Sequence, residues 1–239
     1  SIFNAYDDQK VQWGRSDMQT IRPKGKGSGI MVSDFVEENM GFLNFLDDSG
    51  KKNIARVLLE YGQNREGYWT SEKFLQQMDH AVTIAKSKYP GAQIIWIFDN
   101  SSCHNAYADN ALIAAHMNAN PGGKQHCLRD TVWQGRIQKM NTQDEIPKGL
   151  IQVLKERGRY RQKMKLEEMR YEISTHPDFK EEKTKLQRFL EQRGHTCIML
   201  PKFHCELNPI ERCWGHAKRY TRAHTNYTLP KLYQKQWMP

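Results

Sequence analysis

The run Ile94-Ile95-Trp96-Ile97-Phe98, ending on Asp99-Asn100, constrains the fold more than any other stretch of this chain. Five consecutive apolar residues leave no polar face, so the segment reads as a strand buried on both sides. Such a strand needs cover above and below, which calls for a sheet flanked by other elements. Pro90-Gly91 punctuates the chain just before it and closes a helix. That helix is expected over residues 72–88, with Ser71 as N-cap and Phe74, Leu75, Met78, Ala81, Val82 and Ile84 or Ala85 facing inward.

Further strands are expected at residues 1–5, 30–32, 42–45, 55–61 and 196–200, the third and fourth joined by a polar turn over 47–53. The glycines at 25, 27 and 29 form a flexible turn. A phosphate loop would need a Gly-Lys-Ser/Thr ending and a following helix, and the chain offers neither there. Over residues 101–175 the periodicity breaks down. Within it, residues 155–170 carry seven Lys/Arg against three Glu, with positive charge at every second position from Lys155 to Lys165. An amphipathic helix then returns over residues 178–193, with Phe179, Leu186, Phe189 and Leu190 inside and Gly194 closing it.

The last strand leads into Leu-Pro-Lys-Phe-His-Cys-Glu-Leu-Asn-Pro-Ile-Glu-Arg-Cys-Trp, residues 200–214. Asn208 reads as a helix N-cap, Pro209 as the first helical residue and Glu211 as a first-turn carboxylate favoured by the helix dipole. Ile210, Cys213, Trp214 and Ala217 share an apolar face, while Arg212, Lys218, Arg219 and Arg222 load the remainder with positive charge.

Net charge is +9 with an isoelectric point near 9.3, which points to an anionic partner and to nucleic acid first. Six Trp and ten Tyr argue for a folded chain despite a mean hydropathy of −0.82. No apolar run approaches the ~20 residues that span a bilayer, and no signal peptide is expected. Five cysteines without a framework fit a reducing compartment. The start on Ser1 without Met leads us to expect a fragment or a trimmed chain.

The residues 200–214 closely resemble the last catalytic motif of DDE-superfamily transposases of the mariner-like group, whose Asn-Pro-Ile-Glu segment carries the third metal-binding carboxylate. Asp99, in Phe-Asp-Asn-Ser-Ser-Cys-His, resembles the family's second Asp. The resemblance implies an RNase H-like α/β fold, a mixed central sheet flanked by helices, with a large insertion before the last catalytic helix. It divides the chain into a first part of the core (1–105), a basic, partly helical insertion (106–175), and a second part of the core with a basic tail (176–239). The insertion is the main departure from the family: 111 residues lie between Asp99 and Glu211.

On this resemblance Asp99 and Glu211 bind Mg²⁺ or Mn²⁺, hard ions suited to carboxylate oxygens. The activity implied is metal-dependent cleavage of double-stranded DNA at transposon ends, then strand transfer to a target, in the nucleus, by a homodimer bridging two ends. Asn100 and Asn208 would shape the loops, and His204 would approach the site. The family's first Asp falls upstream of Ser1, so the chain as given is expected to be inactive. Asp7, Asp8 and Asp34 are the internal substitutes. The DNA-contacting surfaces are expected at Arg212, Lys218, Arg219 and Arg222 and at Lys155, Arg157, Arg159, Arg161 and Lys163. The alternative is a non-catalytic DNA-binding protein derived from a transposase. A zinc site assembled from Cys103, His104, His126, Cys127, His204, Cys205, Cys213 and His216 is a third reading, and a catalytic pairing of Cys205 with His104 or His216 a fourth.

Overall fold

The computed structural model of the chain describes residues 1–6 and 25–224. They form a mixed α/β fold of several small sheets and six α-helices, divided into two compact units. The first unit holds Ser1–His104 and the chain from Phe189 onward, and the second is Asn105–Arg188.

The first unit opens with β1 (Ile2–Asn4) and β2 (Gly29–Ser33), antiparallel with Phe3 opposite Ile30. Short strands β3 (Val36–Glu37), β4 (Gly41–Phe42), β5 (Asn44–Leu46) and β6 (Lys52–Ile54) form two small hairpin sheets, and β7 (Val57–Glu60) returns to the far side of β2. Gly29 is obligatory: an added Cβ would sit 2.4 Å from the Tyr61 ring and 2.8 Å from Asn4 Oδ1.

Helix α1 (Ser71–Lys88) starts one residue earlier than the sequence suggests, because Thr70 is its N-cap and accepts from Lys73 N. Its inner face matches the expected period and includes Gln77, whose Nε2 donates to Ser33 O at 3.0 Å and Ala55 O at 2.8 Å. That amide ties the helix to the chain around β2 and β7. Strand β8 (Ile95–Phe98) follows. It buries Trp96 and Phe98 against Phe35, at 5.4 and 6.4 Å between ring centroids, but leaves Ile95 and Ile97 59% and 53% exposed. The expected burial on both faces is therefore corrected to burial on one. Apolar content records a face that favours cover, and the described residues supply cover only on the α1 side.

The second unit has its own core of Leu112, Met117, Leu128, Met140, Leu150, Val153, Leu154, Met169, Ile173 and Phe179. A hairpin of β9 (Thr131–Trp133) and β10 (Arg136–Gln138) turns on Gln134 and Gly135, both with positive φ, as a two-residue turn between twisted strands requires. Helices α2 (Leu150–Glu156), α3 (Leu166–Ser174) and α4 (Pro177–Lys180) complete it, and α5 (Lys185–Glu191) leads back to the first unit. The single helix expected over 178–193 is thus two. Pro177 opens the first, and Thr184 restarts the second through a reciprocal capping box with Gln187, at 3.1 and 2.9 Å. Phe179 and Asp178, expected in the returning core, pack in the second unit instead. Where the chain enters and leaves this unit, Lys185 N donates to Ala106 O at 2.8 Å.

Strand β11 (Thr196–Met199) pairs in parallel with β8, Ile95 beside Thr196 and Phe98 beside Met199. Helix α6 (Pro209–His224) begins at Pro209 as the sequence predicts. Its Trp214 packs edge-on to Phe3 at 6.2 Å and against Phe42 at 6.0 Å. Among the described residues β1–β2–β7 and β8–β11 are separate sheets, so no single central sheet is formed.

Candidate active site

Two carboxylates of the first unit open on one cleft of about 1080 Å³, lined by residues of β2, β3 and β8, by Ser1, and by the start of α6. Asp99 enters it directly after β8, and Glu211 from the first turn of α6. Ser1 N donates to Val32 O at 2.7 Å, and Ser1 lines the same cleft. The cleft is an acidic floor in a strongly basic chain.

Asp99 is the ordered member of the pair. Its Oδ1 accepts from Ser101 N at 3.1 Å and from His104 Nδ1 at 2.8 Å. The same ring nitrogen stands 3.2 Å from the Asp99 carbonyl oxygen. Both oxygens are acceptors, so Nδ1 carries the proton. The imidazole is wedged against Phe74 and Phe98, at 4.3 and 5.2 Å between centroids. The His104 hydrogen bond holds the Asp99 pKa down to about 2 against the opposing effect of partial burial. Asp99 is thus ionised, with one oxygen tied to the protein. The Ser101 side chain also hydrogen-bonds the Asp99 carboxylate, while the exposed Glu211 carboxylate has no hydrogen-bond partner among the described residues. Asn100 Nδ2 donates to Leu200 O, pinning the end of β11 beside this turn. The sequence places a histidine near Asp99 but gives no sign that it grips the carboxylate.

The chain matches no protein-family model, no curated protein and no solved structure.

Asp34 also lines the cleft, but its carboxylate is committed. Oδ1 accepts from Phe35 N at 2.9 Å and Oδ2 from Arg56 Nε at 2.5 Å, and burial raises its pKa despite that pairing. Asp7 and Asp8 lie outside the described residues. His204 Nδ1 is held by Glu206 at 2.7 Å, in an exposed loop. Among the described residues no three His, Cys, Asp or Glu side chains stand together as a metal-holding group, so the eight Cys and His positions of the zinc reading do not converge. Cys205 is exposed and makes no hydrogen bond to His104 or His216 among the described residues.

The basic residues divide. On α6, Lys218 and Arg222 fall within about 20° of Glu211 around the helix axis, and Arg212 and Arg219 share a stripe roughly 90° away. Arg212, Arg219 and Arg222 are exposed, and Lys218 Nζ lies 5.9 Å from the Phe3 ring. In the second unit Lys155, Arg159, Arg161 and Lys163 are exposed on the end of α2 and the loop after it. Arg157 is not. Its side chain is 0% exposed and forks onto Asp178, Nη1 to Oδ1 at 3.0 Å and Nη2 to Oδ2 at 2.6 Å. Nε donates to Gln138 Oε1 at 2.7 Å, and the guanidinium stacks 4.5 Å from Trp133 and 5.3 Å from Phe179. The expectation that Arg157 contacts DNA is corrected: it is a structural cation, buried because a distant carboxylate and two aromatic rings enclose it.

Proposed function

We propose that this chain is the RNase H-like catalytic domain of a DDE-type transposase that acts on double-stranded DNA. The observation that carries the reading is that Asp99 and Glu211, 111 residues apart, open on one cleft, with Asp99 ionised and oriented by His104. An antiparallel trio of strands, a helix, and a parallel pair of strands leading into a helix support the fold. Ser1, which leads into β1, and β8 line the same cleft, as neighbouring strands of one such sheet would.

Two carboxylates lining one cleft are the donor chemistry that suits a hard divalent cation. Bound Mg²⁺ or Mn²⁺ would neutralise charge developing on a phosphodiester and favour an oxygen nucleophile at neutral pH. Asp99 and Glu211 would hold the ion. His104 holds one Asp99 oxygen, and Asn100 ties the turn that carries it to Leu200. The exposed cations of α6 would hold the DNA backbone, and those after α2 would add contacts through the second unit.

One observation favours the alternative, a non-catalytic DNA-binding protein of transposase descent: among the described residues no three His, Cys, Asp or Glu side chains form a metal-holding group, and the further cleft carboxylate Asp34 is paired with Arg56. The two readings separate by titrating Mn²⁺ calorimetrically into the wild type, Asp99→Asn and Glu211→Gln, alongside a plasmid-nicking assay in Mg²⁺ and Mn²⁺. Metal binding that both variants abolish, with metal-dependent nicking, supports the enzyme. Salt-sensitive DNA binding with neither metal uptake nor nicking leaves the binding protein.

A further inference from the structure

The loop from Pro201 to Leu207 carries a side chain that the catalytic reading leaves unused. Phe203 is 98% exposed, the most exposed large apolar residue among those described, and its backbone sits at φ +67. A bulky residue rarely adopts the left-handed region, and a phenyl ring standing in water forfeits the free energy of burial. Both features are unfavourable, and no hydrophobic or aromatic contact among the described residues offsets them.

The posture is nonetheless built. Asn100 anchors Leu200 at the start of the loop. On the other side Leu207 N donates to His204 O at 3.2 Å and Asn208 N to Cys205 O at 3.0 Å, closing a 3-10 turn that runs into α6. Three residues separate Phe203 from Leu200, so its Cα lies at most about 11 Å from the residue pinned beside the Asp99 turn, roughly three nucleotide steps. Exposed Lys202 precedes it, and exposed Arg212 follows Glu211 on the helix that the loop enters. An exposed aromatic face beside a lysine, in a loop that leads into a basic helix, matches an unpaired nucleobase on a phosphate backbone better than an apolar protein surface, which would leave that lysine without a partner.

We infer that Phe203 is a stacking platform for an unpaired base within a few nucleotides of the cleaved phosphate. This rests on the proposed action on DNA and narrows the substrate to a duplex with a frayed or single-stranded end. Every base has a π face, so the platform confers preference for DNA structure rather than sequence.

The test measures affinity by fluorescence anisotropy for a fluorescein-labelled blunt duplex and for the same duplex with a short single-stranded overhang. Wild type should bind the overhang DNA more tightly. Phe203→Ala should lose about 5- to 150-fold on the overhang DNA, the range of one base–aromatic stack, while its blunt-duplex affinity stays within about 2-fold. Phe203→Trp should restore the preference. An overhang preference that survives in Phe203→Ala, or an equal loss on both DNAs, overturns the platform while leaving DNA binding intact. A wild type that binds neither DNA overturns the underlying reading as well. Self-association that Phe203→Ala abolishes, without a change in overhang preference, would assign the ring to a second copy of the chain and also overturn the proposal.

Discussion

Replacing Arg157 by Met keeps an unbranched stem in the second unit's core and removes the guanidinium. It leaves the Asp178 carboxylate, 10% exposed, without its bidentate partner, and Gln138 Oε1 without its donor. Breaking a buried ion pair from one side costs about 3–5 kcal/mol, most of it the penalty of the stranded charge. Two cation–aromatic contacts, with Trp133 and Phe179, are lost as well. For a chain of this size, 3–5 kcal/mol corresponds to a fall in Tm of about 6–20 °C. Circular-dichroism melting of the full chain measures it, and limited proteolysis should show the earliest new cuts within Asn105–Arg188. Adding Asp178→Asn removes the stranded charge and should recover part of the loss, a coupling that a double-mutant cycle reads directly. A cost below about 1 kcal/mol would refute the burial argument and return Arg157 to the DNA-contacting set.

Arg159→Ala provides the contrast two residues away: stability should stay within about 0.5 kcal/mol. If the segment binds DNA, affinity should fall by a similar factor on every sequence, and the salt dependence should weaken by about one phosphate contact, read by anisotropy across a salt series. His104→Ala should raise the Asp99 pKa from about 2 toward the ordinary carboxylate range. Because the folded-state value is the lower one, the stabilisation exists above the unfolded pKa and is lost as pH falls through about 2. The variant should therefore differ most from wild type above pH ~4, and the two should converge in stronger acid. A carboxyl-carbon NMR titration of Asp99 that does not move in the variant would remove His104 from this role. Phe203→Asn relieves the left-handed strain at an exposed position and should stabilise the chain by about 1 kcal/mol in urea unfolding. Unchanged or lower stability would show that the backbone there is unstrained.

Helix α1 was legible because its apolar positions recur at helical spacing, and α6 because Asn208-Pro209 marks its start. Both signals lie within a few residues of what they predict. The strand β8 was equally visible, but its partners were not: the same apolar run fits a fully covered strand and one covered on a single side. Arg157 fails for a related reason. In sequence it is one of an evenly spaced row of cations, and the groups that bury it, Gln138, Asp178 and Trp133, lie about 20 residues away on either side, with no local mark. Lys155, Arg159, Arg161 and Lys163 share its spacing but not its neighbours. The two carboxylates of the cleft were found through the resemblance of their surroundings. The Asp99–His104 geometry depends on a turn that spacing does not specify.

The hydrogen bond between Lys185 and Ala106 has a kinetic consequence. Parallel pairing of β8 with β11 joins Ile95 to Thr196, about a hundred residues later, and such distant contacts form slowly because the loop must close first. A second unit that collapses early on its own core brings its entry and exit together, and the chain still to be closed shrinks to about 22 residues. On the logarithmic scaling of closure entropy this saves about 1.3 kcal/mol. Early collapse of the second unit would thereby offset most of the closure cost that its own length imposes on bringing the two carboxylates together.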